Sequence, residues 1–400
     1  MSITAKILAF YLGIGPVYWL PGVPFTFLIY IKTTCLLLIY LISIAKGFSG
    51  DSFEFPCGKK LFCFFVVYFI LLTPGFVFGK IEAGFYQIQN ALQIILFVYS
   101  CNLIFKNNSI VKITKIASLI FLLLSGLSLV FIIFIPDVTN QFNAELTVAD
   151  SGFGGLRTGW SPANAMFVPW VLTSGVLFVS SLGIFGGTTV LIANQILVGG
   201  RAGLLASISV LFLFFIFKKK KIIIFGILLL IFVGWNGLIQ YTDILRLSSI
   251  KGGSGAEFEN IDDLSSGRVG QYFWVLDIIF NNPLTGIGFG NLIYGGSQRL
   301  NVHNDFLKMA GEGGLLYAIS AFLIVFFGLY QGYLKSKAGS SISRAAFLTL
   351  TAGLVVAQFE PGFLFSNFNT SCFWWFCFAI CVSSVYRRRT NKLICRGSDN

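Results

Sequence analysis

The sequence predicts an all-α polytopic membrane protein of about twelve transmembrane helices, and three observations carry that prediction. Charged residues make up 11% of the 400 residues and hydrophobic ones 56%, with 45 Phe and a mean hydropathy of +0.82. A soluble domain needs about 25% charged residues to cover its surface. The apolar residues fall in long runs, several near the roughly 20 that a helix needs to cross about 30 Å of hydrocarbon. The basic residues that remain cluster in short connections, the pattern that sets orientation in a bilayer.

Taken in order, the runs place spans at roughly 5–20, 22–44, 61–79, 85–105, 114–135, 163–184, 187–199, 202–217, 222–238, 313–333, 345–359 and 369–386. Helices are required because lipid cannot satisfy bare backbone groups. Lys6 stands in the first run and no small-residue cleavage site follows, so this run reads as a span, not a removed signal. Segments 187–199 and 345–359 are short, which fits tilt, pairing or partial entry. Lys32 falls in the middle of the second span, where a charge costs roughly 2.5–3.5 kcal/mol. Either Pro16, Pro21 and Pro24 break the first helix pair, or Lys32 reaches a polar cavity.

Orientation follows from the basic residues. With a cytoplasmic N-terminus, the inside connections carry Lys46, Lys59, Lys60, Lys106, Lys112, Lys115, the run Lys218 to Lys221, Lys335, Lys337 and Arg344. The tail adds Arg387, Arg388, Arg389, Lys392 and Arg396. Outside stand Lys80, Arg157, Arg201, Arg246, Lys251, Arg268, Arg299 and Lys308. An even number of spans then puts both termini in the cytoplasm. The net charge of +12 is therefore a signature of membrane insertion and gives no argument for nucleic acid.

The whole chain, 1–400, reads as a single integral membrane domain with two long outside loops, 136–162 and 239–312. The larger loop starts with a Gly/Ser-rich acidic stretch, Lys251 to Ser266. An amphipathic helix from Gly267 to Asn282 follows, its apolar positions Val269, Tyr272, Phe273, Leu276, Ile279 and Phe280 suited to lying on the membrane. Pro283 ends it, and Gly286, Gly288 and Gly290 make a turn-rich segment. The cysteines lie in spans or on the inside, so disulfides are not expected, and Cys372, Cys377 and Cys381 lack C-x-x-C spacing.

The chain has one histidine, His303, at the outer edge of a span, just before Gly311-Glu312-Gly313-Gly314. A lone histidine is more often structural than catalytic. Outside arginines change the balance here: Arg157 in Leu156-Arg157-Thr158-Gly159, Arg201 in Gly200-Arg201-Ala202-Gly203, Arg268 at the start of the amphipathic helix, and Arg299. Each alone could anchor a lipid headgroup. Together, planar guanidinium forks suit the oxygens of a pyrophosphate leaving group. An imidazole titrating near neutrality suits removal of a proton from an attacking sugar hydroxyl. Asp305 or Glu312 could orient the histidine, or cap a helix, and Asn304 stands beside it.

Other chemistries find little support. One histidine and no H-E-x-x-H or C-x-x-C give no metal site, and no cofactor is expected. Gly252-Gly253-Ser254-Gly255 lacks the lysine of a P-loop, and the Gly286-Gly288-Gly290 turn opens no βαβ unit. A transporter or flippase of lipid-linked sugar is the alternative from another class; such proteins line a midplane path with ionisable residues, and Lys32 alone stands at that depth.

The stretch from Ser266-Gly267-Arg268 through Asn282-Pro283-Leu284 and Gly286-Ile287-Gly288 to His303-Asn304 and Gly313-Gly314-Leu315 resembles the bacterial O-antigen ligase and polymerase superfamily. The ligase-type pattern fits His303, Asn304, Gly314 and Tyr317, and Arg157-Thr158-Gly159 and Gly200-Arg201-Ala202-Gly203 are similar to the family's arginine segments. A Ser often precedes the family's motif arginine; here Gly200 stands there. The resemblance implies a twelve-span, metal-independent inner-membrane glycosyltransferase of surface polysaccharide assembly, including lipopolysaccharide. Its donor would be an undecaprenyl-pyrophosphate-linked glycan, used at the periplasmic face. By matched position His303 would be the base, and Arg157, Arg201 and Arg268 would bind the pyrophosphate, with Arg299, Asn304, Asp305 and Glu312 as supporting candidates. The acceptor would be a second lipid-linked repeat unit (a polymerase) or lipid A–core (a ligase). Polymerases diversify with each surface polysaccharide, which tips the reading slightly to polymerase, whereas the ligase-type His pattern points the other way.

Overall fold

The computed structural model describes residues 1–16, 25–48, 59–134, 156–173, 180–197, 201–218, 268–292, 302–360 and 363–383. The described elements are all helices: α1 (Ile3–Ile14), α2 (Phe25–Phe48), α3 (Lys59–Leu71), α4 (Thr73–Phe78), α5 (Ile81–Asn107), α6 (Ile110–Phe134) and α7 (Leu156–Leu172). They continue with α8 (Ser181–Leu197), α9 (Arg201–Phe217), α10 (Arg268–Asn281), α11 (Asp305–Gly313), α12 (Leu315–Lys337), α13 (Ser341–Ala357) and α14 (Phe368–Val382). Five stretches are long and apolar enough to cross a membrane: Thr26–Lys46, Lys59–Phe78, Ile81–Asn107, Ile110–Val130 and Leu315–Lys337. Shorter apolar helices stand beside them, among them Ser341–Ala357 and Phe368–Val382. The protein is therefore a multi-pass, all-α membrane protein. The span expected at 222–238 lies outside the described residues.

The centre of the bundle is α14, which packs against α5, α7, α12 and α13. Every side chain from Ser371 to Val382 is buried, so the helix is apolar all round and needs a protein neighbour on each side. Its large aromatics are seated individually. Trp374 Nε1 donates to the Leu350 carbonyl (3.0 Å) and Trp375 Nε1 to that of Leu364 (2.9 Å), so no indole N–H is stranded. Phe373 stacks on Phe167 at 3.9 Å between centroids, and Phe167 on Phe121 at 4.1 Å, tying α14 through α7 to α6. Gly353 and Gly328 give Trp374 and Phe378 room where a Cβ would intrude, the small-against-large packing of membrane helices.

Polar side chains at membrane depth join α6, α7, α8 and α9. Ser125 Oγ donates to Asn164 Oδ1 (2.8 Å), Asn164 Nδ2 to Asn194 Oδ1 (3.0 Å), and Asn194 Nδ2 back to the Ser125 carbonyl (3.1 Å). Gln195 Nε2 reaches Ser207 Oγ at 2.8 Å and the Ser161 carbonyl, next to Pro162, at 3.3 Å. Near Pro169 the Met166 carbonyl accepts from Thr349 Oγ1 (3.0 Å), whose oxygen in turn takes the Trp170 N–H. Gln195 and Thr349 thus add side-chain hydrogen bonds to α7 carbonyls close to its two prolines.

The structure moves several expected boundaries. The span expected at 163–184 starts at Leu156, inside the stretch assigned to the first outside loop, 136–162. Hydropathy marks where apolar residues begin; the helix begins earlier, with a polar first turn. The span at 61–79 is broken at Leu72, two residues before Pro74, and α1 stops at Ile14, before Pro16. Lys32 is 4% exposed on the inward stripe of α2 with Leu28, Leu36, Ile39 and Ser43, beside Cys372 of α14. Lys32 thus faces the protein interior, and the helix pair is interrupted between Ile14 and Phe25, where Pro21 and Pro24 lie outside the described residues. Tyr30, Leu37 and Leu41 face outward.

Asn164→Leu should strand the Ser125 hydroxyl and the Asn194 amide oxygen, costing about 1–3 kcal/mol for each unpaired group. A clear fall in melting temperature of the detergent-solubilised protein, read by fluorescence-detected size exclusion, is the expected result.

Candidate functional site

The His303 segment is held by the end of α13 and by α10. Asn304 caps α11: its Oδ1 accepts from the N–H groups of Phe306 (3.1 Å) and Leu307 (3.0 Å), the usual service of an Asn at that position. Its Nδ2 donates to Oε1 of Gln358, at the C-terminus of α13, at 3.0 Å. The Tyr272 hydroxyl of α10 lies 2.8 Å from the His303 carbonyl and 3.0 Å from the Gln358 carbonyl, so its one proton bridges the two. His303 is half-buried with Nδ1 shielded from solvent.

Behind this lies a stitched frame. Asp305 is fully buried, and its Oδ2 accepts the Leu364 N–H at 2.6 Å, fixing the start of α11 to the segment that leads into α14. Glu312 Oε1 accepts the Gly290 N–H at 3.1 Å. The glycine turn bonds along the end of α11, Ile287 N to Gly311 O and Gly288 N to Glu312 O, both 2.9 Å. On its other edge Phe289 N donates to Gly75 O and Lys80 N to Phe289 O, both 2.8 Å. Gly288 has φ +91° and lies so close to Phe78 that a Cβ would strike its carbonyl. Gly314, also at φ +91°, separates α11 from α12 against Leu284. Both positions require glycine.

Tyr317 is buried, stacked on Tyr68 at 5.2 Å between centroids with the hydroxyls 3.1 Å apart. The Phe289 ring stands edge-on to it at 5.7 Å. It lies beneath the frame and acts there as packing. α10 buries Gln271, Val275 and Ile279 and turns Phe273 and Phe280 outward, 66% and 79% exposed. The helix stands where the sequence expects it, but its faces differ: Ile279, expected on the membrane, packs inward with Gln271, and of the expected set Phe273 and Phe280 face outward.

The arginine positions are known through their backbone. Gly203 of α9 lies against the Ser161 backbone of α7, so the first turns of these helices run side by side. Arg157 stands four residues before Ser161 and Arg201 two before Gly203, each within about one 5.4 Å turn of the contact. The far end of α9 meets the start of α13, with Phe217 5.9 Å from Phe347 and under the Arg344 guanidinium at 5.9 Å. α13 therefore runs antiparallel to α9 and brings Gln358 back to the end where α9 begins. Arg268 opens α10 one turn before Tyr272, on the same face. The starts of α7, α9 and α10 and the His303 segment thus share one end of the bundle. Arg299 lies outside the described residues. No group of three or more His, Cys, Asp or Glu that could hold a metal ion stands among the described residues.

Sequence reasoning missed Tyr272, read as one of several apolar positions, and Gln358. The only signal for Gln358 was an uncharged amide just after an apolar run.

A bundle of apolar helices with a cluster of polar contacts at one end defines a multi-pass membrane protein. Residues 186–322 match the O-antigen ligase family, which supports the O-antigen ligase and polymerase superfamily for this chain and glycosyl transfer in surface polysaccharide assembly. The match takes in α8 to α11 and the first turns of α12, with Arg201, Arg268 and His303 inside it and Arg157 and Gln358 outside. No curated protein matches the chain.

Burial pushes the Glu312 carboxyl up from its ordinary 4.5, against the opposing pull of Lys308 and the Gly290 N–H. The folded protein then holds a proton that the unfolded chain releases, so stability is full below pH 4.5 and falls as pH rises through the raised value. Glu312→Gln keeps the acceptor for Gly290 and removes the ionisation. Its melting temperature should match wild type at low pH and exceed it at pH 8; a constant difference across pH would exclude the linkage.

Proposed function

We infer that this protein transfers a glycan from undecaprenyl pyrophosphate to a sugar hydroxyl at the periplasmic face of the bacterial inner membrane, with inversion at the anomeric carbon. The observation that carries the reading is the convergence of the His303 segment with the starts of the three arginine-bearing helices at one end of the bundle. In this reading both termini are cytoplasmic and the chain crosses the membrane twelve times.

His303 takes the proton of the acceptor hydroxyl as its oxygen attacks the anomeric carbon. The bond from that carbon to the pyrophosphate oxygen breaks, and the leaving group departs with the electron pair. Arg157, Arg201 and Arg268 hold the pyrophosphate and stabilise its growing charge. Arg299 supports them from the same loop, Asn304 and Asp305 fix the chain around the base, and Glu312 secures the turn behind it. Neither a metal nor a cofactor has a part in these steps.

The acceptor in our reading is a second lipid-linked repeat unit, which makes the protein a repeat-unit polymerase. A ligase acting on lipid A–core is the second reading, favoured by the pattern of His303, Asn304, Gly314 and Tyr317 and by the family match. A surface-glycan gel of a deletion strain separates them. Lipid A–core carrying one repeat unit marks a polymerase; bare core with long polymer on undecaprenyl pyrophosphate marks a ligase. If Lys32→Ala abolishes the product while His303→Ala does not, the protein is instead a transporter of the lipid-linked glycan.

In the complemented strain, His303→Ala should lower product formation by roughly 10²- to 10⁴-fold. Loss of Arg157, Arg201 or Arg268 should lower it about 10²- to 10³-fold each. A wild-type glycan pattern from His303→Ala would remove the catalytic assignment.

A further inference from the structure

We propose that Gln358 is a positioning residue for His303. The proposal rests on the reading of His303 as the base and goes beyond it, because Gln358 stands on a different helix, outside the matched stretch. The amide orientations along the connection are fixed at every step. Asn304 spends its Oδ1 on the N–H groups of Phe306 and Leu307, so only its NH2 can face Gln358. Gln358 must then present Oε1, which it does at 3.0 Å, leaving Nε2 to donate to the Leu354 carbonyl one turn back (3.3 Å). Neither amide can flip without losing bonds.

The same residue acts a second time through its backbone. Its carbonyl shares the Tyr272 hydroxyl with the carbonyl of His303. His303 is therefore held on two sides: its own carbonyl by Tyr272, and its C-terminal neighbour by the Gln358 side chain. The end of α13 is itself anchored, since the Gln358 and Phe359 N–H groups bond back to Val355 and Val356. The end of α13 thereby sets the place of His303. A general base works within about 2.6–3.2 Å of the proton it removes. A displacement of about 1 Å can cost on the order of 10²-fold in rate.

The single histidine makes the test direct. Full-length protein labelled with 13C-histidine, in nanodiscs of bacterial phospholipid, gives one imidazole signal. Wild type should show one sharp line. Gln358→Ala should broaden or split it and lower surface-glycan yield in the complemented deletion strain about 10-fold or more. Gln358→Glu keeps an acceptor for Asn304 and should restore both the line and the glycan. A wild-type line and yield from folded Gln358→Ala would overturn the proposal, as would a Glu variant that behaves like Ala. Should the Ala variant fail to fold, Tyr272→Phe removes both hydroxyl contacts at nearly constant volume. It should broaden the line; an unchanged line overturns the proposal. If Gln358→Ala disturbs the signal while His303→Ala leaves the glycan intact, the positioning stands and the catalytic reading falls.

Discussion

Hydrocarbon offers no hydrogen bonds, and the rest of this structure answers to that fact. A polar group at membrane depth must find its partner inside the protein. The Ser125–Asn164–Asn194 ring is closed: each asparagine side chain gives and receives, and Ser125 gives through its hydroxyl and receives through its backbone carbonyl. The indole N–H groups of Trp170, Trp374 and Trp375 obey the same rule, finding a hydroxyl or a carbonyl. A glutamine and a threonine from neighbouring helices likewise bond α7 carbonyls at Ser161 and Met166. The polar contacts that brace the bundle thus also fix its register, because a slipped helix would strand them.

At the end of the bundle the same demand takes a different form. Short helices and a glycine turn leave many backbone groups exposed to a water-poor margin. They are satisfied by stitching the turn at 286–290 to α11 on one side and to the α4–α5 junction on the other. His303 sits on this frame rather than on a spanning helix. Its placement depends on Asn304, Tyr272 and Gln358, contributed by α10, α13 and the segment itself. A loop residue can serve as a chemical group only where a scaffold limits its motion, and here the scaffold is the end of a membrane helix.

Much of the fold was legible because lipid imposes a composition. Runs of apolar residues marked the helices, and the period of the apolar positions marked α10. The boundaries were harder to read. Leu156 to Trp160 read as loop because hydropathy does not register a polar first turn. At the site, His303 stood out as the one residue of its kind, and the arginines by the cost of placing them near lipid. Tyr272 did not, because a tyrosine on an amphipathic stripe shows its ring to the pattern and hides its hydroxyl. Gln358 was invisible for a related reason: its worth lies in meeting Asn304, 54 positions away in sequence.

The helix at the centre of the bundle is also the last of those described to be synthesised. α5, α7, α12 and α13 all reach the membrane before α14, and the bond from Phe368 N–H to Asn90 closes a separation of 278 residues. During that interval α7, α12 and α13 can pack on one another, but the faces that will meet α14 lack that protein neighbour and border acyl chains. Lipid must act as a placeholder and then be expelled when α14 enters. The ordering of the core is therefore a late, non-local event in biogenesis, and a ribosome stalled before Phe368 leaves a membrane-inserted chain whose helices are formed but whose interior is still solvated by lipid.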